Sequence, residues 1–396
     1  MSATGRYWAK VHASMKAVAL LPALAAALPA YAQARRVEEV RVGAELSGPI
    51  LRATVQSQDV SWIATQRELW QFSRGRLHLA DSAAYDVTKI VVAPGGGRYL
   101  RLVAGQAPFG LFVADVLDTS DRSRVLARLQ SADYPFGFSA IHVARNGNLF
   151  VTVTPVDDAE GLRGRFTYRF WSRDGQLTGE SSIEGPRMGA LDESGGAILL
   201  YGEKGADSVR PDGTRLWNLD GPYRKGVIAS GGRIALLNPA DDIEQLHLIR
   251  AGSVTAVNFD SPVHELAITP DGAMAAVATD AGRVSLFRTT GCDAHACSRF
   301  ELPPLPAGGR VYVSSLRFVD RDLIAVAALG VSGSRPNERI EDGYLFLFTT
   351  NGQVEYRKKI ALPQPATWSP LLDAGYRQAK FTVYTRDSAS IVPARR

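Results

Sequence analysis

The chain is poor in cysteine, has no run of like charges, and shows no apolar stretch long enough to cross a membrane. Only 2 of its 396 residues are cysteines. The apolar run at residues 17–28 falls short of the length that a transmembrane helix needs. Basic residues stand singly in strand-like segments, so nothing indicates an electrostatic surface for nucleic acid. These absences exclude a multi-span membrane protein and argue against a protein that binds DNA or RNA.

The residues that are present favour a folded, all-β protein. Hydrophobic residues make up 45% of the chain, charged residues 21%, and the mean hydropathy is -0.07, which is enough apolar material for a core. The 37 glycines and 21 prolines indicate frequent chain reversals, which long helices do not tolerate. The composition therefore predicts many short strands joined by tight turns.

The N-terminal residues have the pattern of a secretory signal. Met15-Lys16 precedes the apolar run, and Ala32-Gln33-Ala34 has the small-x-small form of a signal-peptidase site. We therefore predict a signal peptide at residues 1–34, with Met15 as an alternative start, and one mature domain at residues 35–396. This makes the protein periplasmic or secreted, of a bacterial type. No cysteine lies near the cleavage site, so a lipid anchor is not indicated.

Removal of this leader changes the charge balance of the chain. The full sequence carries 45 basic and 40 acidic residues, and Arg6, Lys10 and Lys16 would leave with the leader, which gives 45 − 3 = 42 basic residues. The mature chain is thus almost neutral. The sequence pI of about 9.2 therefore gives no support for a nucleic-acid or acidic-membrane partner.

The two cysteines, Cys292 and Cys297, flank a short segment that also contains His295. In an oxidising compartment two nearby thiols most simply form a disulfide. A metal site through His295 is the alternative, but a structural zinc ion needs four ligands and no second pair stands at ligand spacing. We predict a disulfide and no metal.

A repeat of about 36 to 56 residues runs along the mature chain, and each unit contains strand-like runs separated by glycine turns. Asn-Gly, Asp-Gly and Gly-Gly pairs supply the positive φ angles that tight hairpins require. The first turn of the units appears as Ala93-Pro94-Gly95-Gly96, Ala144-Arg145-Asn146-Gly147, Glu193-Ser194-Gly195-Gly196, Ala229-Ser230-Gly231-Gly232 and Thr269-Pro270-Asp271-Gly272.

The strands beside these turns are almost continuously apolar, which is typical of strands covered on both faces. Sheets stacked around a ring give that environment, so we predict a single β-propeller of four-stranded blades. The first strands of the units begin near Ile50, Asp86, Phe138, Arg187, Arg224, Val263, Tyr312 and Thr367. This count predicts eight blades, with seven as the alternative. The last unit lacks a strand, so we expect residues 37–46 to pair with the C-terminal strands and close the ring.

Two segments resemble known propeller repeats. Residues 263–287, with Thr269-Pro270-Asp271-Gly272 inside them, resemble a WD40-type repeat, although Phe287-Arg288 stands where Trp-Asp is usual. Val209 to Trp217 is similar to a repeat of the pyrroloquinoline-quinone-like propellers, in which a tryptophan after a glycine turn packs between blades. The resemblance covers most of the mature chain and implies the fold only.

No catalytic motif of the common hydrolase, nucleotide-binding, zinc-protease or calcium-loop types is present. The quinone enzymes of the second resemblance carry adjacent cysteines and a calcium site, and neither is recognisable. We therefore expect no cofactor and a non-catalytic, exported propeller that acts as a protein-interaction scaffold or ligand-binding module in the cell envelope. The alternative is a propeller enzyme, quinoprotein-like or a lyase or hydrolase, with its site at the channel mouth.

The ring centre is the place where a propeller most often binds a ligand. Counting back from the first turn of each unit predicts six basic or titratable residues near the channel: Lys89, His142, Arg187, Arg224, Lys225 and His264. Together they would suit a small anionic ligand or an acidic loop of another envelope or extracellular protein. Channel residues that merely bond to trapped water are the other interpretation.

Overall fold

The computed structural model describes residues 37–42, 46–83, 87–104, 111–130, 140–156, 164–185, 187–289, 298–306, 309–333, 338–362 and 369–395. Glu38–Arg395 form one compact unit. Of the other unit, residues 1–37 and 396, only Val37 is described. The predicted signal peptide and the predicted disulfide of Cys292 and Cys297 lie outside the described residues.

The described residues form 32 strands in eight antiparallel sheets of four, which we call blades 1 to 8. In blades 1–4 the strands are β2 (Arg52–Val55), β3 (Val60–Ala64), β4 (Glu68–Ser73), β5 (Arg76–Ser82); β6 (Val87–Val92), β7 (Arg98–Ala104), β8 (Leu111–Asp118), β9 (Val125–Gln130); β10 (Ala140–Val143), β11 (Leu149–Val156), β12 (Arg165–Ser172), β13 (Leu177–Glu184); β14 (Met188–Leu191), β15 (Ile198–Gly202), β16 (Gly205–Val209), β17 (Arg215–Leu219).

Blades 5–8 repeat this order, except that the outermost strand of blade 8 comes from the N-terminal side of the chain. Their strands are β18 (Tyr223–Ala229), β19 (Ile234–Pro239), β20 (Gln245–Arg250), β21 (Ser253–Asn258); β22 (Val263–Ile268), β23 (Met274–Thr279), β24 (Arg283–Arg288), β25 (Ser298–Glu301); β26 (Arg310–Asp320), β27 (Leu323–Ser332), β28 (Arg339–Thr349), β29 (Val354–Ile360); β30 (Leu371–Asp373), β31 (Lys380–Tyr384), β32 (Ser388–Pro393), β1 (Glu38–Arg41).

Helix is almost absent from the part of this unit that the structure describes. A 3-10 turn at Ser230–Gly232 joins β18 to β19. Within the described ranges we find no helix whose length and apolarity would let it cross a bilayer. The architecture is therefore all-β, as the glycine and proline content predicts.

Neighbouring blades pack face to face, and the core lies between them. Buried residues of blade 3, such as Phe170, contact buried residues of blade 4, such as Leu200, and the same holds around the ring. One large cluster joins Leu286 of blade 6 to Phe346 of blade 7. Each fully buried side chain of this size contributes about 1.5–3 kcal/mol. No single blade could gain this stabilisation alone, because both of its faces would meet water.

Trp217 shows how a turn is tied to the neighbouring blade. Its indole is buried between blades 4 and 5, and Nε1 donates a hydrogen bond of 2.8 Å to the carbonyl of Gly232. The ring of Trp217 thus fills the interface while its polar atom is satisfied. This is the packing that the resemblance to quinone-type propellers implies.

The chain termini close the ring within blade 8. β1 pairs antiparallel with β32, with Glu38 opposite Ile391 and Arg41 opposite Ser388. Between blades, Lys358 of β29 in blade 7 forms an ion pair of 2.5 Å with Glu39 of β1. The exposed edge that an open ring would leave is therefore paired.

The sequence-based predictions of fold hold in the structure. Eight blades are present rather than seven, each with four strands, and the predicted pairing of the termini is confirmed. The first strands begin within four residues of their predicted starts, and the largest difference is that between Thr367 and Leu371.

Ring closure can be tested at Val40, which is 7% exposed and packs between blades 8 and 1. Val40→Asp places a carboxylate in this apolar interface, and we expect it to lower the free energy of unfolding by about 3 kcal/mol. Urea unfolding measures this change. Arg41→Gln on the same strand, where the side chain is 69% exposed, is the control and should have little effect. Equal stability of the Val40→Asp variant would contradict closure through β1.

Candidate functional site

The inner strands of all eight blades enclose a cavity of about 460 Å³ at the ring axis. Each blade contributes at least one lining residue, and a representative from each, in blade order, is Arg52, Val91, His142, Gly189, Val227, Ile268, Arg317 and Ala374. The inner strands all run in the same sense, so the turns that follow them gather at one end of the channel. We call this the turn end, and we call the opposite end, where the inner strands begin, the mouth.

Apolar side chains and polar groups share the walls of the cavity. Val91, Ile141, Leu191, Ile228 and Phe318 all face it, and they come from five different blades. Phe318 and Ile228 are buried, whereas Val91, Ile141 and Leu191 are partly exposed to the space. A ligand in this cavity would therefore contact both hydrocarbon and polar groups.

An arginine at the turn end links three blades. Arg145 of blade 3 approaches Glu193 of blade 4 with 3.1 Å between Nε and Oε1, and it donates from Nη2 to Oδ1 of Asp373 in blade 8 at 2.5 Å. Oε1 of Glu193 also accepts a hydrogen bond from the Tyr376 backbone N–H at 3.1 Å. Blades 4 and 8 stand four places apart in a ring of eight. The segment after β30 therefore bonds to the opposite side of the channel at its turn end.

Asp192 holds the turns of blades 4 and 5 together. Its carboxylate is buried and accepts hydrogen bonds from the N–H of Ser194 and from the N–H of Gly231, each at 2.8 Å. The Ser194 hydroxyl donates to it as well. The local sequence favours this arrangement, because an aspartate at the start of a turn commonly accepts from the N–H two residues on.

Two arginines line the cavity without an acidic partner. In the described part of the chain Arg52 has no ion pair or side-chain hydrogen bond, and Arg317 donates only to the carbonyl of Leu316, at 2.8 Å. They lie on the two blades that flank blade 8. Burial raises the pKa of the Tyr384 hydroxyl in blade 8, with a further rise from Asp373, and both arginines oppose that rise. Both guanidinium groups therefore lie within electrostatic reach of this one tyrosine of blade 8.

His142 lies in the cavity wall against the next blade. A Cβ atom on Gly189 would stand 2.8 Å from the His142 ring, so only glycine leaves room for the imidazole. Desolvation by burial lowers the pKa of His142 below its usual value. Its Nε2 atom is buried and has no hydrogen-bond partner among the residues described. The ring is therefore neutral near pH 7 and holds one unused polar atom.

Among the six predicted channel residues, only His142 lines this cavity. Lys89 is exposed on β6. Arg187 donates to the carbonyl of Gly205 within its own blade. Arg224 donates to the Asn238 side chain. The guanidinium groups of Arg187 and Arg224 thus donate hydrogen bonds to other residues of the ring.

The remaining two predicted residues also have partners close by. Lys225 forms an ion pair of 2.5 Å with Glu265 of blade 6. His264 stands edge-on to Tyr312 of blade 7, with 3.8 Å between ring centroids. Ligand binding by any of the six residues, and an enzyme site around them, stays a prediction.

The arginines that do line the cavity were missed by counting along the strands. Arg145 lies inside the Ala144-Arg145-Asn146-Gly147 turn. The sequence therefore identifies it as a turn residue and does not indicate that it lines the channel. The register of four inner strands shifts: β6 between Val87 and Lys89, β18 between Tyr223 and Lys225, β22 between Val263 and Glu265, and β26 on both sides of Arg317. Each shift changes which side chains face the axis, and no local signal predicts it.

Among the described residues no group of three or more His, Cys, Asp or Glu side chains is placed to hold a metal ion.

The link between Arg145 and Asp373 can be measured with a double-mutant cycle. Arg145→Gln leaves the Asp373 carboxylate buried without its cation, and we expect a loss of about 3 kcal/mol in the free energy of unfolding. Adding Asp373→Asn should recover part of this loss, with a coupling of at least about 1 kcal/mol. Urea unfolding of the four proteins gives the coupling. Additive effects of the two substitutions on the free energy of unfolding would contradict the link. Arg173→Gln, in an exposed pair with Asp174, is the control.

His142 makes the stability depend on pH. Because its pKa is lowered in the folded state, the unfolded chain binds more protons below about pH 6.5, and stability falls as the pH drops through this region. His142→Gln should flatten the fall between about pH 6.5 and pH 5. His247, whose pKa burial also lowers, keeps its own contribution. Unfolding curves across this pH range test the prediction, with exposed His78→Gln as the control that should leave the slope unchanged.

Comparison with known proteins supports the fold and leaves the family open. No protein-family model matches the chain, and no curated protein matches it. Saccharomyces cerevisiae Sqt1 superposes with a TM-score of 0.56 at 10% identity, covering 90% of this chain and 98% of that one. A eukaryotic initiation factor superposes with a TM-score of 0.52 at 11% identity, covering 89% and 92%. The chain is thus similar in fold to WD40-type β-propellers.

Proposed function

We propose that this protein is an exported, non-catalytic propeller that binds another protein of the cell envelope at the mouth of its channel. The observation that carries the proposal is a set of exposed apolar side chains at that end. Met188, Leu371 and Leu51 are 58%, 42% and 40% exposed, and each lies at or just before the start of an inner strand. They come from blades 4, 8 and 1, so they border the channel from opposite sides.

This grouping differs from the other exposed apolar residues of the ring. Leu79, Leu177 and Val254 are also exposed, but each lies on the outer strand of a different blade. Single apolar residues of that kind are normal on a protein surface. Apolar side chains that surround one opening can instead be covered together by one partner, and methionine adapts well to such contacts.

The rigidity of the ring supports a role as a platform. Turns of neighbouring blades are joined at the turn end, for example through Asp192 and Gly231 and through the Asn146 side chain and the carbonyl of Ser194. Loops on a rigid scaffold lose little conformational entropy when a partner binds. The similarity to Sqt1 and to an initiation factor is a similarity of fold, and a fold by itself does not define a partner.

Export is part of the proposal and rests on the signal pattern ending at Ala34. β1 begins at Glu38, so cleavage after Ala34 would leave the strand that closes the ring intact. All 32 strands of the described residues lie after that cleavage point.

Photocrosslinking at the mouth tests the proposal. A photoreactive amino acid at position 188 or 371 should yield a discrete crosslinked protein from envelope material, because these side chains would be covered by the partner. Position 177 on β13 is the matched control, since Leu177 is 51% exposed but lies on the outer strand. Equal crosslinking at position 177, or none at the mouth, would contradict the proposal. Intact mass of the same periplasmic preparation tests export, which requires a chain that starts at Arg35.

A further inference from the structure

The polar atoms left unused in the channel cavity are hydrogen-bond donors or can act as donors. The Arg52 guanidinium contacts no acceptor in the described part of the chain, and Arg317 uses one N–H on a backbone carbonyl. Nη1 of Arg145 is buried without a partner among the same residues, as is Nε2 of His142. Burying donors without acceptors costs free energy. Nη1 of Arg145 and Nε2 of His142 are enclosed by protein, so Arg52 and Arg317 are the donors that the cavity offers to an occupant.

The acidic groups at the cavity, by contrast, are already engaged. Asp192 accepts hydrogen bonds from Ser194 and from Gly231. Glu193 and Asp373 share the guanidinium of Arg145. A ligand in the cavity thus meets hydrogen-bond donors that lack an acceptor. The three carboxylates are already bonded elsewhere and do not compete with the ligand for these donors.

The charges around the cavity balance one another. Arg145, Glu193 and Asp373 together carry one excess negative charge, and Asp192 adds another at the same turn end. Arg52 and Arg317 balance them with two positive charges. The cavity as a whole is therefore neutral, so net charge does not draw in anions. One anionic group fits beside Arg52 and Arg317, and a second one toward the turn end would be repelled.

The shape and the walls define the rest of the ligand. A cavity of about 460 Å³ lies within the range that small-molecule sites occupy. Part of its wall is apolar, with Val91, Ile141, Leu191 and Phe318 among the lining residues. A body of hydrocarbon matches these walls, and a planar carboxylate matches the fork of donors that an arginine presents.

We propose that the channel cavity binds a small organic monocarboxylate, with its carboxylate on Arg52 and Arg317 and its apolar body against the inner strands. The site is separate from the apolar residues at the mouth, and it does not require the partner protein proposed above. A cavity that holds only water would not distinguish a carboxylate from its neutral amide.

Isothermal titration calorimetry at constant ionic strength tests this proposal with defined probes. The monocarboxylates are hexanoate, benzoate and 2-naphthoate. The matched neutral probe is 2-naphthamide, and the matched dianion is 2,6-naphthalenedicarboxylate. We expect at least one monocarboxylate to bind, and we expect its amide and its dicarboxylate counterparts to bind at least about tenfold more weakly.

Single substitutions identify the residues that bind the carboxylate. Arg52→Gln and Arg317→Gln should each weaken binding at least about tenfold, because a charge-assisted hydrogen bond is lost. Neither side chain has an ion pair in the described structure, so both variants should keep the melting temperature of the parent. Arg76→Gln on β5 is the control, since Arg76 is exposed on an outer strand.

A chemical readout on the unaltered protein avoids any effect of substitution on folding. Phenylglyoxal modifies accessible guanidinium groups, and peptide mass mapping locates the modified arginines. The bound monocarboxylate should protect Arg52 and Arg317 and leave Arg76 reactive.

Three results would overturn the proposal. They are the absence of binding by all three monocarboxylates at about 10 mM, equal binding of the amide, and unchanged affinity in both glutamine variants. Crosslinking at the mouth is read separately, so either proposal can fail while the other stands.

Discussion

The structure depends on one constraint: a four-stranded sheet that is apolar on both faces can be buried only between two copies of itself. Tyr168 and Phe170 of blade 3 are buried because blade 4 covers them, and blade 4 is in turn covered by blade 5. In such a stack, each of the two end sheets exposes one apolar face to water until the last sheet packs against the first. β1 provides that end, because it completes blade 8 with a strand from the opposite terminus. Closure is thus a requirement of the hydrophobic core, and the central channel is its geometric consequence.

Ring geometry then brings together residues that are far apart in the sequence. Arg145 and Asp373 are 228 positions apart, yet they form an ion pair at the turn end of the channel. Glu193 joins them from blade 4 and also binds the backbone of Tyr376. These contacts run across the axis, whereas the blade interfaces run around it. The two sets of interactions restrain the ring in different directions, and together they fix the position of every inner strand around the cavity.

Much of the fold could be predicted from the sequence, because its signals are local. Glycine turns such as Thr269-Pro270-Asp271-Gly272 mark each unit, and apolar runs such as Leu323–Ser332 indicate strands covered on both faces. The orientation of single side chains in the channel could not be predicted in the same way. Register shifts in β6, β18 and β22 alter the side-chain phase that a count from the turn assumes. The partners of Arg145 could not be predicted either, since they depend on which blades lie opposite one another.

The lack of an acidic partner for Arg52 and Arg317 can be compared with the partners of other arginines in the described structure. Several arginines on other strands of the ring face carboxylates on adjoining strands: Arg128 pairs with Asp115 at 2.6 Å, and Arg169 pairs with Glu180 at 2.8 Å. A guanidinium that is partly withdrawn from water without such a partner costs folding free energy. Arg52 and Arg317 carry that cost in the channel cavity, while Asp373 on blade 8 pairs with Arg145 instead. Local departures from a protein's general pattern of stabilisation are expected at functional sites, since binding requires groups that folding leaves unsatisfied. Two such departures on either side of one blade therefore point to the channel, more than to the outer surface, as the place where this ring meets a ligand.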